Sequence, residues 1–321
     1  MKILITGAAG FIGFHTSLKL LSKNCIVIGI DNLNDYYDIN LKKKRISILK
    51  KYKNFRFFKI DLLNLKRLSK LFKDNEFTIV INLAAQAGVQ FSITNPYKYI
   101  ESNIIGFFNI LECCRKFKTK ILLYASSSSV YGDNSTLPFS ESDKTLKPLS
   151  FYGATKISNE AMAYSYSNLY GLKTIGLRFF TVFGPWGRPD MAPMKFIQAI
   201  LNNKPIKLFN KGKHLRDFTY IDDITLAIFK LIKKKTTKEN IHFKIFNIGN
   251  NKPIKLLNFV KFIENKIGKK AKKILLPIQK GDVKNTHANI SKIKKYINFT
   301  PKVTVENGVS KLVDWYLDYY C

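Results

Sequence analysis

Gly7-Ala8-Ala9-Gly10-Phe11-Ile12-Gly13 is the stretch that decides the fold. It follows a short apolar run, Lys2–Thr6, and opens directly into Phe11–Leu21, whose apolar residues recur with helical spacing. The glycines stand as G-x-x-G-x-x-G rather than the commoner G-x-G-x-x-G, but the chemistry is the same. Residues without a Cβ let backbone amides approach a pyrophosphate, and the helix N-terminus behind them carries partial positive charge. A glycine-rich turn alone is weak evidence. Its position between a leading strand and an apolar helix is the context that gives it meaning.

Outward from this turn, short apolar runs alternate with amphipathic stretches. Lys2–Thr6, Ile26–Ile30, Phe55–Ile60, Thr78–Leu83, Ile121–Ser126 and Lys173–Arg178 read as strands; Phe11–Leu21, Leu65–Phe72, Ile100–Phe117 and Phe151–Tyr170 read as helices. This alternation predicts an α/β fold, a Rossmann-type doubly wound parallel sheet with helices on both faces. Beyond Arg178 the rhythm loosens around Gly184, Pro185, Gly187, Pro189 and Pro193, and short elements with turn signals follow. We therefore expect a cofactor domain of residues 1–178, rejoined by about 222–248 with a helix over Asp222–Lys233. Residues 179–221 and 249–321 are expected to form a smaller mixed α/β substrate-binding lobe.

Asp31 ends the second strand. A carboxylate there accepts hydrogen bonds from adenosine ribose hydroxyls and repels a 2′-phosphate, which predicts NAD rather than NADP. The neighbouring Lys42, Lys43, Lys44 and Arg45 are expected to offset that repulsion in part. Asp61 ends the third strand and reads equally well as an adenine contact or as a helix N-cap. Further along, Tyr152-Gly-Ala-Thr-Lys156 puts a phenol and an ammonium on one helix face. A phenol with a pKa of ~10 is a poor base, and a nearby cation should lower it. Tyr152 would then take a proton from a substrate hydroxyl. Ser126-Ser127-Ser128-Ser129 ends the preceding strand, where an open parallel sheet presents its ligand crevice. A polar turn is the plainer reading of those serines.

Composition excludes several classes. The 321 residues contain no run of 18 apolar residues, so no membrane span is expected. The first residues enter a strand rather than a signal peptide, which reads as a cytoplasmic protein. Cys25, Cys113, Cys114 and Cys321 show no C-x-x-C spacing, and no metal site is expected. The formal charge of +32 suggests nucleic acid at first sight. Yet only seven of the 54 basic residues are arginine, the side chain that grips phosphates bidentately, and the lysines are spread over the whole chain. A solvated lysine surface that attracts an anionic substrate fits better than a nucleic-acid partner.

The glycine loop, Asn82-Leu-Ala-Ala-Gln-Ala87, Ser128-Ser-Val-Tyr-Gly132, Tyr152-x-x-x-Lys156 and Arg216-Asp-Phe-Thr-Tyr-Ile-Asp222 together resemble the extended short-chain dehydrogenases that act on nucleotide sugars. Asp31-Asn-Leu-Asn-Asp-Tyr-Tyr-Asp38 with Asn40-Leu-Lys42, and Arg178-Phe-Phe-Thr-Val-Phe-Gly-Pro-Trp-Gly-Arg-Pro-Asp-Met-Ala-Pro193, are similar to segments of the UDP-glucuronate 4-epimerases within that family. The resemblance implies NAD held by Gly7, Gly10, Phe11, Ile12, Gly13, Asp31, Asn32, Asp61, Leu62, Leu83, Ala84, Ala85, Asn103 and Val182, together with Tyr152 and Lys156. It makes Tyr152 the base, Lys156 its positioning partner and Ser127 the assisting hydroxyl. It sets Ser127, Ser128, Thr181 and Arg188 on the sugar and its carboxylate, Arg216 on the diphosphate, and Gln279 with Asp282 at the nucleotide end. Two departures stand out: Asn82 replaces the family's usual His, and Gln90 its usual Arg.

Residues after the fifth strand separate the relatives by chemistry. Sugar dehydratases carry an Asp-Glu pair near positions 127 and 128, and UDP-glucuronate decarboxylases a glutamate at 129. All three positions here are serine. The expectation is an isomerase: a 4-epimerase converting UDP-glucuronate to UDP-galacturonate with tightly held NAD, acting as a homodimer. A dehydratase, a decarboxylase or a UDP-glucose 4-epimerase stands behind it. A non-catalytic NAD-sensing regulator is more remote, since Tyr152 is present.

Overall fold

The computed structural model describes residues 1–234 and 242–321; residues 235–241, inside the segment expected to rejoin the first domain, lie outside the description. The chain runs β1 Lys2–Thr6, α1 Phe11–Leu21, β2 Ile26–Asp31, α2 Ile39–Leu49, β3 Phe55–Lys59, α3 Leu65–Asn75 and β4 Ile79–Asn82. Next come short helices α4 Val89–Thr94 and α5 Pro96–Tyr99, a π-helical turn Ile100–Ile105, then α6 Gly106–Lys116, β5 Ile121–Ser127, α7 Phe151–Tyr170 and β6 Lys173–Phe179. The remainder is β7 Thr181–Phe183, α8 Ala192–Leu201, β8 Ile206–Leu208, β9 Leu215–Arg216, β10 Phe218–Tyr220, α9 Ile221–Lys233, β11 Phe243–Ile248, β12 Ile254–Lys255, α10 Leu256–Ile267, β13 Lys273–Leu275, α11 Ser291–Ile297 and α12 Val305–Tyr320.

Seven of these strands form one all-parallel sheet in the order β11-β6-β5-β4-β1-β2-β3. The order reverses at β1, the switch point where such sheets open a crevice at their carboxyl ends. On β1, Ile3 and Ile5 join one apolar core and Leu4 joins the other, so helices must cover both faces. Register aligns the strand ends, Thr6 opposite Asn82 and Asn82 opposite Tyr124. Asn82 is thereby absorbed into the frame: Thr6 donates to it at 2.6 Å, and the amide of Ala84 donates to Thr6. One of the two cores runs without a break from the sheet into the second half, through Phe218, Phe259 and Val309.

The structure departs from the sequence reading in three places. Helix α2 was hidden by its run of basic residues, yet Leu41, Arg45 and Leu49 lie four apart and all face inward. Asp38 caps it by accepting from the Asn40 amide. The expected helix 100–117 is in fact a π-helical turn continued by α6. Asp61 is not a helix cap, because Asn64 caps α3 by accepting from the Arg67 amide. No helix of the described residues is long and apolar enough to cross a membrane.

Candidate functional site

A cleft of about 480 Å³ opens at the carboxyl ends of the strands. The glycine loop forms one wall. Gly7 has φ +69°, and a Cβ on it would meet the Ala84 amide nitrogen at 2.8 Å. A Cβ on Gly13 would lie 2.0 Å from the Gly7 carbonyl oxygen, so the first turn of α1 can lie against the loop only as glycine. Helix α1 has no side-chain cap and no acidic residue in its first turn. A close-packed backbone cradle at an uncapped helix start fits a dinucleotide's pyrophosphate.

At the adjacent strand end, the Asp31 carboxylate accepts from the amides of Ala9 and Leu33. Burial pushes its pKa up, and those two amides together with Lys42 and Arg45 pull it down. Asp61 accepts from Asn32 at 2.8 Å, and both line the cleft. Of the four basic residues expected to offset the Asp31 charge, Lys42 and Arg45 act on it. Lys42 alone reaches the wall, with its ammonium donating to the backbone and side-chain oxygens of Asn34. Lys43 and Lys44 are exposed, and Arg45 turns into the protein.

Tyr152, Lys156 and the three serines 127, 128 and 129 share the central wall. Lys156 is buried and donates to the Ala125 carbonyl at 2.9 Å, with its ammonium 5.9 Å from the centre of the Tyr152 ring. The Ser127 and Ser129 hydroxyls are 3.2 Å apart. Burial pushes the Tyr152 phenol up, while its hydrogen bond with Ser127 and the charge of Arg188 pull it down. The expected help from Lys156 is not what acts on the phenol in the protein alone. Burial also lowers Lys156 to about 8, opposed only by the charge of Glu160 one turn further along α7. Glu160 is itself buried, accepting from Ser126 at 2.6 Å and bidentately from Arg178 at 2.9 and 2.8 Å.

A pH dependence follows. The protonated form of Lys156 is lost as pH rises through about 8, so kcat/KM should fall on an alkaline limb there. Glu160→Gln removes the one charge holding that pKa up and should move the limb to lower pH. A limb that stays in place would detach Lys156 from the pH profile. The depressed pKa also affects stability: between the unfolded lysine range near ~10.4 and about 8, only the unfolded chain binds the proton, so stability declines as pH falls across that window.

Thr181, Val182, Arg188, Arg216 and Asp282 complete the far wall. Arg188 is tied to Asp190 by two bonds of 3.0 and 2.5 Å. Arg216 reaches Asp282 and the carbonyls of Val283 and Lys284. Leu62, Leu83, Ala84 and Ala85 also line the cleft. Two expected residues do not. Asn103 is buried behind the wall, bonded to the Gln86 backbone and to Thr155. Gln279 lies outside, its carbonyl accepting from the Asp282 amide. Gln90, which stands where the family usually has Arg, donates to the Lys280 carbonyl at 2.9 Å. Sequence reading gave no role to Tyr36, Gln86, Ser102 and Met191, which line the cleft. Tyr36 belongs to the quoted Asp31–Asp38 segment, Gln86 to Asn82–Ala87 and Met191 to Arg178–Pro193, so the signal was at hand.

A sequence model of the NAD dependent epimerase/dehydratase family matches residues 3–249, and the chain belongs to that family. It is 53% identical to "Protein CapI" of Staphylococcus aureus, over 100% of this chain and 99% of that one. It is 45% identical to the UDP-glucuronate 4-epimerase of Thermodesulfobacterium geofontis, over 97% and 95%. The crystal structure of UDP-glucuronic acid 4-epimerase from Bacillus cereus, in complex with UDP-glucuronic acid and NAD, superposes with a TM-score of 0.93 at 37% identity, covering 100% of both chains.

Proposed function

We propose that this chain is an NAD-dependent 4-epimerase of a UDP-uronic acid, interconverting UDP-glucuronate and UDP-galacturonate. The observation that carries the reading is the central wall: Tyr152 and Lys156 face three serines, with Arg188 on the same cleft. No carboxylate stands at positions 127, 128 or 129 to drive elimination or decarboxylation. NAD, when bound, supplies the two-electron acceptor that lets one sugar carbon be oxidised and then reduced. Tyr152 takes the proton from the 4-hydroxyl and returns it, so no net redox change remains. Arg216 holds the diphosphate while Ser127, Ser128 and Thr181 offer hydroxyl contacts loose enough for the sugar to turn. Arg188 attracts the uronate carboxylate. In this reading residues 1–178 with 222–248 serve the cofactor, and 179–221 with 249–321 the nucleotide sugar. The experiment is direct: purified protein, UDP-glucuronate and no added NAD should yield UDP-galacturonate by NMR. UDP-pentose and carbon dioxide as the sole products would replace this reading with a decarboxylase.

The same reading includes a cytoplasmic homodimer. Ile100, Ile105 and Phe108 on the π-turn and α6, and Phe151, Tyr164 and Leu169 on α7, are exposed. An apolar face of that kind is expected to be covered, and a two-fold pairing of these helices into a four-helix bundle would cover it. Sedimentation should give a dimer at micromolar protein; a monomer at every concentration would rule the pairing out.

A further inference from the structure

Arg45 is the largest side chain with no solvent exposure among the described residues. A buried cation is costly unless its partners are well placed. Among the described residues it has no carboxylate within salt-bridge distance, and all its acceptors are carbonyls and one phenol. They fall into two groups. Nη1 donates to the Ala9 carbonyl at 2.7 Å and to the Tyr37 hydroxyl at 2.8 Å. Nη2 donates to the carbonyls of Trp186 at 2.6 Å and Gly187 at 3.3 Å. Ala9 lies within the glycine loop, and its amide is the one held by Asp31. Gly187 immediately precedes Arg188. Trp186 sits at φ +59°, a left-handed conformation that a bulky residue keeps only when held there. A second link runs alongside: the Tyr36 hydroxyl donates to Asp190 at 3.1 Å, and Asp190 clamps Arg188.

We propose that Arg45 is a positioning residue that fixes the sugar-side loop 184–190 to the cofactor loop, so that occupancy of the dinucleotide cradle orders Arg188 for the substrate's carboxylate. The inference rests on the reading of Arg188 as the uronate contact. One planar fork spans two irregular loops, neither held by a sheet ladder at these carbonyls. A lysine ammonium would keep the charge but is a single point, unable to serve both groups of acceptors.

The test uses NAD-loaded wild type, Arg45→Lys, Arg188→Ala and the double variant. Calorimetry reads the Kd of UDP-glucuronate and of UDP-glucose, and hydrogen exchange reads the peptide covering 184–191. Arg45→Lys should weaken UDP-glucuronate about tenfold, leave UDP-glucose unchanged and speed exchange at 184–191. In the Arg188→Ala background it should add no further loss for the uronate. Equal weakening of both sugars, or no change in either Kd or exchange, overturns the proposal. If Arg188→Ala itself leaves the preference for the uronate intact, the reading of Arg188 has failed instead, and an Arg45→Lys effect on the uronate would then run through some other residue and overturn the proposal as well. Should Arg45→Lys not fold, the wild type decides. Restoring NAD to stripped protein should slow exchange at 184–191 more than in α10; equal slowing overturns the coupling.

Discussion

Tyr152→Phe is expected to retain bound NAD and UDP-glucuronate while losing about 10²–10⁴-fold in turnover, the usual contribution of a general acid–base group. The substitution keeps the ring, which packs edge-on against Tyr99 at 6.1 Å between centroids. It removes only the hydroxyl that meets Ser127 and feels the Arg188 charge. Because burial holds the phenol's pKa up, the protein alone does not make Tyr152 a ready base. The cation that would complete its activation is the nicotinamide ring of bound NAD, and loss of the hydroxyl should therefore show in kcat rather than in binding. Single-turnover assays beside calorimetric titration with UDP-glucuronate would check this. Full activity in the variant would sink the whole chemical assignment.

Gly13→Ala should be among the most damaging single-methyl changes at the cofactor loop. The added carbon would stand 2.0 Å from the Gly7 carbonyl oxygen and 2.8 Å from its carbonyl carbon, both backbone atoms that cannot swing aside. Helix α1 must then lift from the glycine loop, at a cost of about 1–3 kcal/mol typical of overpacking. The wild type should release NAD, and not NADP, when denatured. The variant should come through purification with most of its NAD lost, and with a lower melting temperature. NAD retained at the wild-type ratio would mean that the loop does not hold the pyrophosphate.

Much of this arrangement was legible in the sequence, for physical reasons that differ by element. The inner strands are apolar on both faces, so their runs are continuous and their ends fall within a residue or so of the observed ones. Gly7, Gly13, Tyr152 and Lys156 are local motifs whose spacing carries their geometry. What stayed hidden depends on contacts distant in sequence. The inward face of α2 contains Lys42 and Arg45, which the sequence sets near Asp31 but whose acceptors, Asn34, Ala9 and Gly187, only the fold brings to them. The bond between Gln90 and the Lys280 carbonyl joins residues 190 apart, and nothing local announces it. The phenol's raised pKa follows from burial, which only the folded chain creates.

One apolar core serves both the sheet and the second half of the chain, and β11 brings the chain back into that sheet. The molecule is thus a single solid with a crevice in it, not a pair of jaws. Opening wide would tear apart packed aromatic rings such as Phe14 of α1 against Trp186 of the sugar-side loop, whose centroids are 5.5 Å apart. Traffic through the crevice is left to rim side chains and loops. A small sugar nucleotide can pass such a doorway. A dinucleotide seated against the glycine loop would leave far less readily, which would suit a catalyst that reuses the same cofactor on every cycle.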